Sequence, residues 1–102
     1  MRLRGVDQGD RLPVQVQVAS VMQQVVDGQK QFEAEGATIA QLIDDVERRY
    51  PGFRRQIASE DGTFHRFVNI YLNDEDIRYL QGPETALQDG DSVAILPALA
   101  GG

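Results

Sequence analysis

One segment limits the folds open to this chain more than any other: residues 38–50, TIAQLIDDVERRY, followed by Pro51-Gly52. Ile39, Leu42, Ile43, Val46 and Tyr50 fall at i, i+3, i+4, i+7 and i+11, which puts them on one face of a helix. Thr38 is suited to accept from the open amides of the first turn, and Gln41 three residues later completes a capping-box pattern. Asp44, Asp45, Glu47 and Arg48 lie off the stripe. Proline lacks an amide and restricts the residue before it, so the helix ends at Pro51-Gly52 after about three and a half turns. A single helix with one apolar stripe needs a sheet to bury it.

The rest of the chain supplies strand patterns. Val14, Val16 and Val18 alternate with Gln15 and Gln17, the period-two signature of a strand with one buried face. Ser20 to Val26 suits a single helical turn at the sheet edge, and Asp27-Gly28 signals a turn. Lys30, Phe32 and Ala34 then alternate with Gln31, Glu33 and Glu35, so two strands are joined by a long hairpin loop. Phe53 and Ile57 anchor a short turn, and Ser59 to Gly62 reads as a loop. FVNIYL at 67–72 is a strand, Asn73 to Asp76 an acidic turn, and Ile77 to Leu80 a short return strand. Asp89-Gly90-Asp91 turns into a last strand from Ser92 to Leu96. The order predicts an α+β domain, a mixed sheet of about five strands with one main helix packed across it. Its predicted boundaries are a loose N-terminal extension over 1–12, a folded domain over 13–96 and a tail over 97–102. Pro97 cannot continue a sheet ladder, so the chain is expected to leave the body there.

Composition narrows the function. The formal charge is −6, from 10 Lys and Arg against 16 Asp and Glu, which disfavours binding to a phosphate backbone. There is no Cys, so the chain offers no disulfide, thiolate metal site or thiol nucleophile. That composition suits a reducing cytoplasm, and neither a membrane-spanning apolar run nor a signal-peptide pattern is present. A domain of this size buries roughly 60–70% of its unfolded surface and is expected to fold alone. His65 is the only histidine and has no triad arranged around it, so a surface or strand-edge role is expected for it. Asp74, Glu75 and Asp76 lack EF-hand spacing and read as a solvated turn. No P-loop or dinucleotide fingerprint occurs, so no self-sufficient active site, bound cofactor or metal site is expected.

The C-terminal half carries two other features. Val93 and Ile95 are expected to face the core, with Ala94 and Leu96 facing out. On the neighbouring strand Val68, Ile70 and Leu72 are the inward set, leaving Phe67, Asn69 and Tyr71 outside. Phe67, Tyr71, Ala94 and Leu96 then make an apolar patch of the kind that marks partners, unless residues 20–28 fold over it. The end, Pro97-Ala98-Leu99-Ala100-Gly101-Gly102, spans roughly 20 Å when extended. Without side chains, Gly101-Gly102 can thread a narrow channel, and the α-carboxylate of Gly102 is ionised and unhindered at neutral pH. Such a carboxylate can attack the α-phosphate of a nucleotide and become an acyl-adenylate; a frayed tail is the bland alternative.

The stretches HRFVNIYLNDEDIRYLQG and LQDGDSVAILPALAGG resemble the ubiquitin-like sulfur carriers, the ThiS/MoaD-like family, and within it the CysO-type carriers of actinobacteria. The likeness covers about residues 13–102. It implies a β-grasp fold and a protein-borne sulfur donor, not an enzyme. An E1-like adenylating enzyme would use MgATP to convert the Gly102 carboxylate to an acyl-adenylate. Sulfide equivalents would then displace AMP and leave a thiocarboxylate. The acceptor would be a sulfur-accepting synthase: a pyridoxal-phosphate-dependent cysteine synthase, with a zinc JAMM-type peptidase freeing the amino acid later, or a thiosugar, thiamine or molybdopterin enzyme. By position, Gly101 and Gly102 match the sulfur-carrying terminus, and Phe67, Tyr71, Ala94, Leu96 and Leu99 are the expected partner contacts. Two other functions share the first chemical step: a protein modifier joined to target lysines, and a small subunit completing a molybdopterin-synthase-like enzyme. Lys30 is the only lysine, which argues against chain building on the protein itself.

Overall fold

A computed structural model describes residues 13–97; the predicted extension at 1–12 and the residues after Pro97, including Leu99, Gly101 and Gly102, lie outside the described residues. The strands are β1 (Pro13–Val18), β2 (Gln31–Glu35), β3 (Val68–Leu72), β4 (Glu75–Asp76) and β5 (Ser92–Pro97), and the helices are α1 (Ile39–Arg49) and α2 (Phe53–Ile57). They form one mixed sheet in the order β2-β1-β5-β3-β4. The two central strands, β1 and β5, run parallel, and the other pairings are antiparallel. This is the expected α+β arrangement, with α1 as its main helix.

The alternation that defined β1 is realised as burial. Val14, Val16 and Val18 are buried, as are Phe32 and Ala34 of β2, Val68 and Ile70 of β3, and Val93 and Ile95 of β5. They meet Ile39, Leu42, Ile43 and Val46 of α1 in one core, with Phe53 and Ile57 of α2 fully inside it. Thr38 caps α1 by accepting from the Gln41 amide at 3.2 Å. The Gln41 side chain reaches back one residue further than a standard capping box, to the Ala37 amide at 3.0 Å. The segment Ser20–Val26 is a 3₁₀ helix that buries Met22 and Val26 and packs beside α2. It therefore lies on the helix side of the sheet.

Two local expectations change. Ile77 to Leu80 is not a return strand: Asn73 and Asp74 both take positive φ, 50° and 74°, and form a two-residue hairpin turn. That draws Glu75 and Asp76 into pairing with Leu72 and Tyr71 as β4. The Asp76 carboxylate then accepts from the Arg78 amide at 2.8 Å, and Ile77–Tyr79 coils into a 3₁₀ turn that buries Ile77. Pro97, expected to leave the sheet, instead ends β5 opposite Val68. The Ile95 carbonyl accepts from the Ala19 amide, so odd-numbered residues of β5 turn their main-chain groups toward β1. The β1 ladder stops at Ile95, so the amide that Pro97 lacks points where no strand remains to receive it.

Candidate functional site

The face of the sheet opposite α1 divides into two halves. Over β1 and β2, alternation leaves Pro13, Gln15, Gln17, Gln31, Glu33 and Glu35 outward, all polar but the proline. Over β3 and β5 it leaves Asn69, Tyr71, Ala94 and Leu96, whereas Phe67, expected to open the strand, lies in the turn just before β3. The antiparallel register sets Tyr71 opposite Ala94 and Asn69 opposite Leu96, so Tyr71, Ala94 and Leu96 share this face on adjacent strands. Phe67 is 54% exposed and Leu96 39%, whereas Tyr71 and Ala94 are half-buried. The Phe67 ring stacks on His65, with centroids 4.9 Å apart and planes 14° from parallel. The imidazole is itself tethered, Nε2 lying 3.1 Å from the Arg55 carbonyl oxygen. His65 is thus the neighbour that holds Phe67 at the rim of the face.

A polar group sits among these apolar residues that pattern reading did not single out. Asp76 pairs with Tyr71 across β3 and β4, so both point outward. The Arg78 guanidinium grips the Asp76 carboxylate through Nε, 3.1 and 3.2 Å from its two oxygens, and through Nη2 at 2.7 Å. Nη2 also donates to Asn69 Oδ1. The hydrogen bonds from the Arg78 side chain and amide hold the Asp76 carboxyl below the usual carboxylate range, and the paired carboxylate holds Arg78 above its ordinary value. The available signal was Asn69, one polar residue in the otherwise apolar run FVNIYL, but its partners are seven and nine positions away.

Beneath the face, Val93 and Ile95 fix β5 in the core, so the strand that leads to the C-terminal residues is rigidly held. Asn73 ties its start: Nδ2 donates to Asp91 Oδ1 at 3.1 Å, and Oδ1 accepts from the Ser92 amide at 3.0 Å. Among the described residues no group of three or more His, Cys, Asp or Glu is placed to hold a metal ion. No helix there is long and apolar enough to cross a membrane.

A mixed five-stranded sheet grasping one main helix, with its last strand central and parallel to its first, defines a β-grasp domain of the ubiquitin-like class. The model of the ThiS family matches residues 16–102, and the chain belongs to that family, as a small non-catalytic sulfur carrier of CysO-like type. It is 46% identical over 91 residues to the sulfur carrier protein CysO of Mycobacterium tuberculosis, covering 87% of this chain and 98% of that one. The crystal structure of that CysO superposes with a TM-score of 0.80, covering 84% of this chain and 99% of the other. CysO of Amycolatopsis orientalis, crystallised in complex with BexX, gives a TM-score of 0.82 at 44% identity, over 87% of this chain and 99% of that one. Small archaeal modifier protein 3 of Haloferax volcanii is 36% identical over 66 residues, 65% of this chain and 71% of its own.

Proposed function

We propose that this carrier works through the carboxyl group of Gly102 in the cytoplasm. An E1-like enzyme transfers the adenylyl group of MgATP to that carboxylate, releasing pyrophosphate. A sulfide equivalent attacks the acyl carbon, AMP leaves, and the terminus becomes a thiocarboxylate. This group is ionised at neutral pH and attacks the electrophilic carbon of an acceptor held by a synthase. The acceptor class favoured by the CysO likeness is an activated serine on a pyridoxal-phosphate-dependent cysteine synthase, with a JAMM-type peptidase releasing the product. A thiosugar synthase is the other route. The observation that carries the reading is the family match, which runs through the Gly-Gly terminus to residue 102. Gly101 has no side chain to obstruct a narrow active-site channel, and Leu99 is a further proposed partner contact.

The same enzymes need a surface to grip while the tail is engaged. Phe67, Tyr71, Ala94 and Leu96 supply an apolar one beside the base of the tail. The bound BexX partner of the A. orientalis CysO supports a docking role for this kind of domain. The likeness to an archaeal modifier favours a second reading, in which the adenylate is captured by lysines of target proteins.

Intact mass spectrometry after incubation with the adenylating enzyme, MgATP and sulfide separates the two. The carrier reading predicts a gain equal to one sulfur-for-oxygen exchange, abolished by deletion of Gly102. Lysine-linked adducts on other proteins without that exchange support the modifier reading and overturn the first.

A further inference from the structure

Arg78 is held on the outer face by two partners on one side of its guanidinium. Nε and one Nη2 proton are taken by Asp76, and the other Nη2 proton by Asn69. Among the described residues nothing occupies Nη1, so its two N–H groups remain open. The side chain is 59% exposed, whereas that of Asp76 is 13% exposed, so the open end is the accessible one. Of the two residues it grips, Asp76 lies opposite Tyr71 and Asn69 lies opposite Leu96. The cation is therefore set beside the apolar residues already proposed for docking.

Its charge is matched by Asp76, and the chain as a whole carries −6. The spot has no positive excess to draw in a carboxylate, which would meet repulsion from Asp76 and from the rest of the molecule. It has two pre-aimed donors beside an apolar surface, where hydrogen bonds strengthen once water is expelled. A neutral oxygen acceptor fits that demand, and a main-chain carbonyl is the acceptor that every protein loop carries.

We propose that Arg78 is the specificity-determining polar contact of the docking face, donating from Nη1 to a main-chain carbonyl on a loop of the adenylating enzyme. The same loop would lay an apolar side chain against Phe67 and Leu96. Asp76 and Asn69 are positioning residues: they fix the guanidinium plane before the partner arrives, so little side-chain freedom is lost on binding. The inference rests on the docking reading of this face and adds the chemistry that the partner must present.

The test measures affinity of full-length protein for its E1-like adenylating enzyme by calorimetry, at low and at high salt, with melting temperatures as folding controls. Arg78→Gln and Arg78→Lys are each expected to weaken binding about tenfold or more, since lysine keeps the charge and loses the planar fork. The loss is expected to be equal at both salt concentrations. Retained affinity in Arg78→Lys, or a loss that vanishes at high salt, would mean a plain charge contact and would overturn the proposal. Normal binding by both Arg78 variants while Phe67→Ala and Leu96→Ala lose affinity leaves the docking face standing and removes Arg78 from it. Normal binding by all four removes the docking face itself.

Discussion

Gly36 joins β2 to α1, and the space a side chain would fill is taken by helix backbone. A Cβ there would stand 2.5 Å from the Leu42 nitrogen and 2.9 Å from its Cα. Main chain in the first turns of a capped helix cannot step aside as a flexible side chain does. Gly36→Ala is therefore expected to destabilise the fold by about 1–3 kcal/mol, read as a drop in urea midpoint at constant slope. A stability equal to the parent protein would mean that the β2–α1 connection shifts freely. Glu47 acts at the same scale by a different device. Its carboxylate accepts from the Arg54 amide at 2.8 Å and the Gly52 amide at 3.2 Å, capping the start of α2 from the flank of α1. Those two bonds, the one from Arg54 the larger, lower its pKa, and Asp61 and Asp76 are lowered by bonds from Thr63 and Arg78. A carboxyl group whose pKa is depressed by folding stabilises the native state above its unfolded value and loses that contribution as pH falls through its folded value. Stability is thus expected to hold from neutral pH down to the ordinary carboxylate range and to decline below it. Glu47→Gln should flatten that acid limb in urea titrations, modestly because the group is partly exposed; an unchanged limb would remove Glu47 from it.

At the scale of elements, α1 does more than cover the sheet. Asp45 on its outer flank accepts from the Glu35 amide at 2.9 Å, and Arg49 donates to the Glu33 carbonyl at 2.9 Å. The helix thereby satisfies main-chain groups on the open edge of β2, which are the groups an added strand would need. The facing of β3 and β5 is the second consequence of element packing. Ile95 is buried and Leu96 exposed on the same strand. Ile95→Ala is expected to cost about 2–5 kcal/mol, the range for emptying a core site. Leu96→Ala and Phe67→Ala should leave the melting temperature nearly unchanged. Equal losses from inward and outward substitutions, in thermal melts run side by side, would show that the outer face is covered in the native protein.

For the whole molecule, the central feature is that β5 is both the innermost strand and the one that leads to Gly102. The core thus fixes where the described residues end, at Pro97, which suits the use proposed for the residues that follow. Much of this was legible beforehand. The stripe Ile39–Leu42–Ile43–Val46 and the alternation of Val14, Val16 and Val18 report local periodicity, and any structure that buries them must respect it. Burial of Val93 and Ile95 beneath Leu96 follows for the same reason. The Gly-Gly terminus lies outside the described residues, and the chemistry proposed for it rests on residue type and on the family match. Strand order, the coiling of Ile77–Tyr79, the place of Pro97 at the end of a ladder and the Asp76–Arg78–Asn69 group were not legible beforehand. Each depends on which distant residues a twisted sheet brings within hydrogen-bonding distance. Periodicity says which way a side chain faces; cross-strand register decides what it meets there.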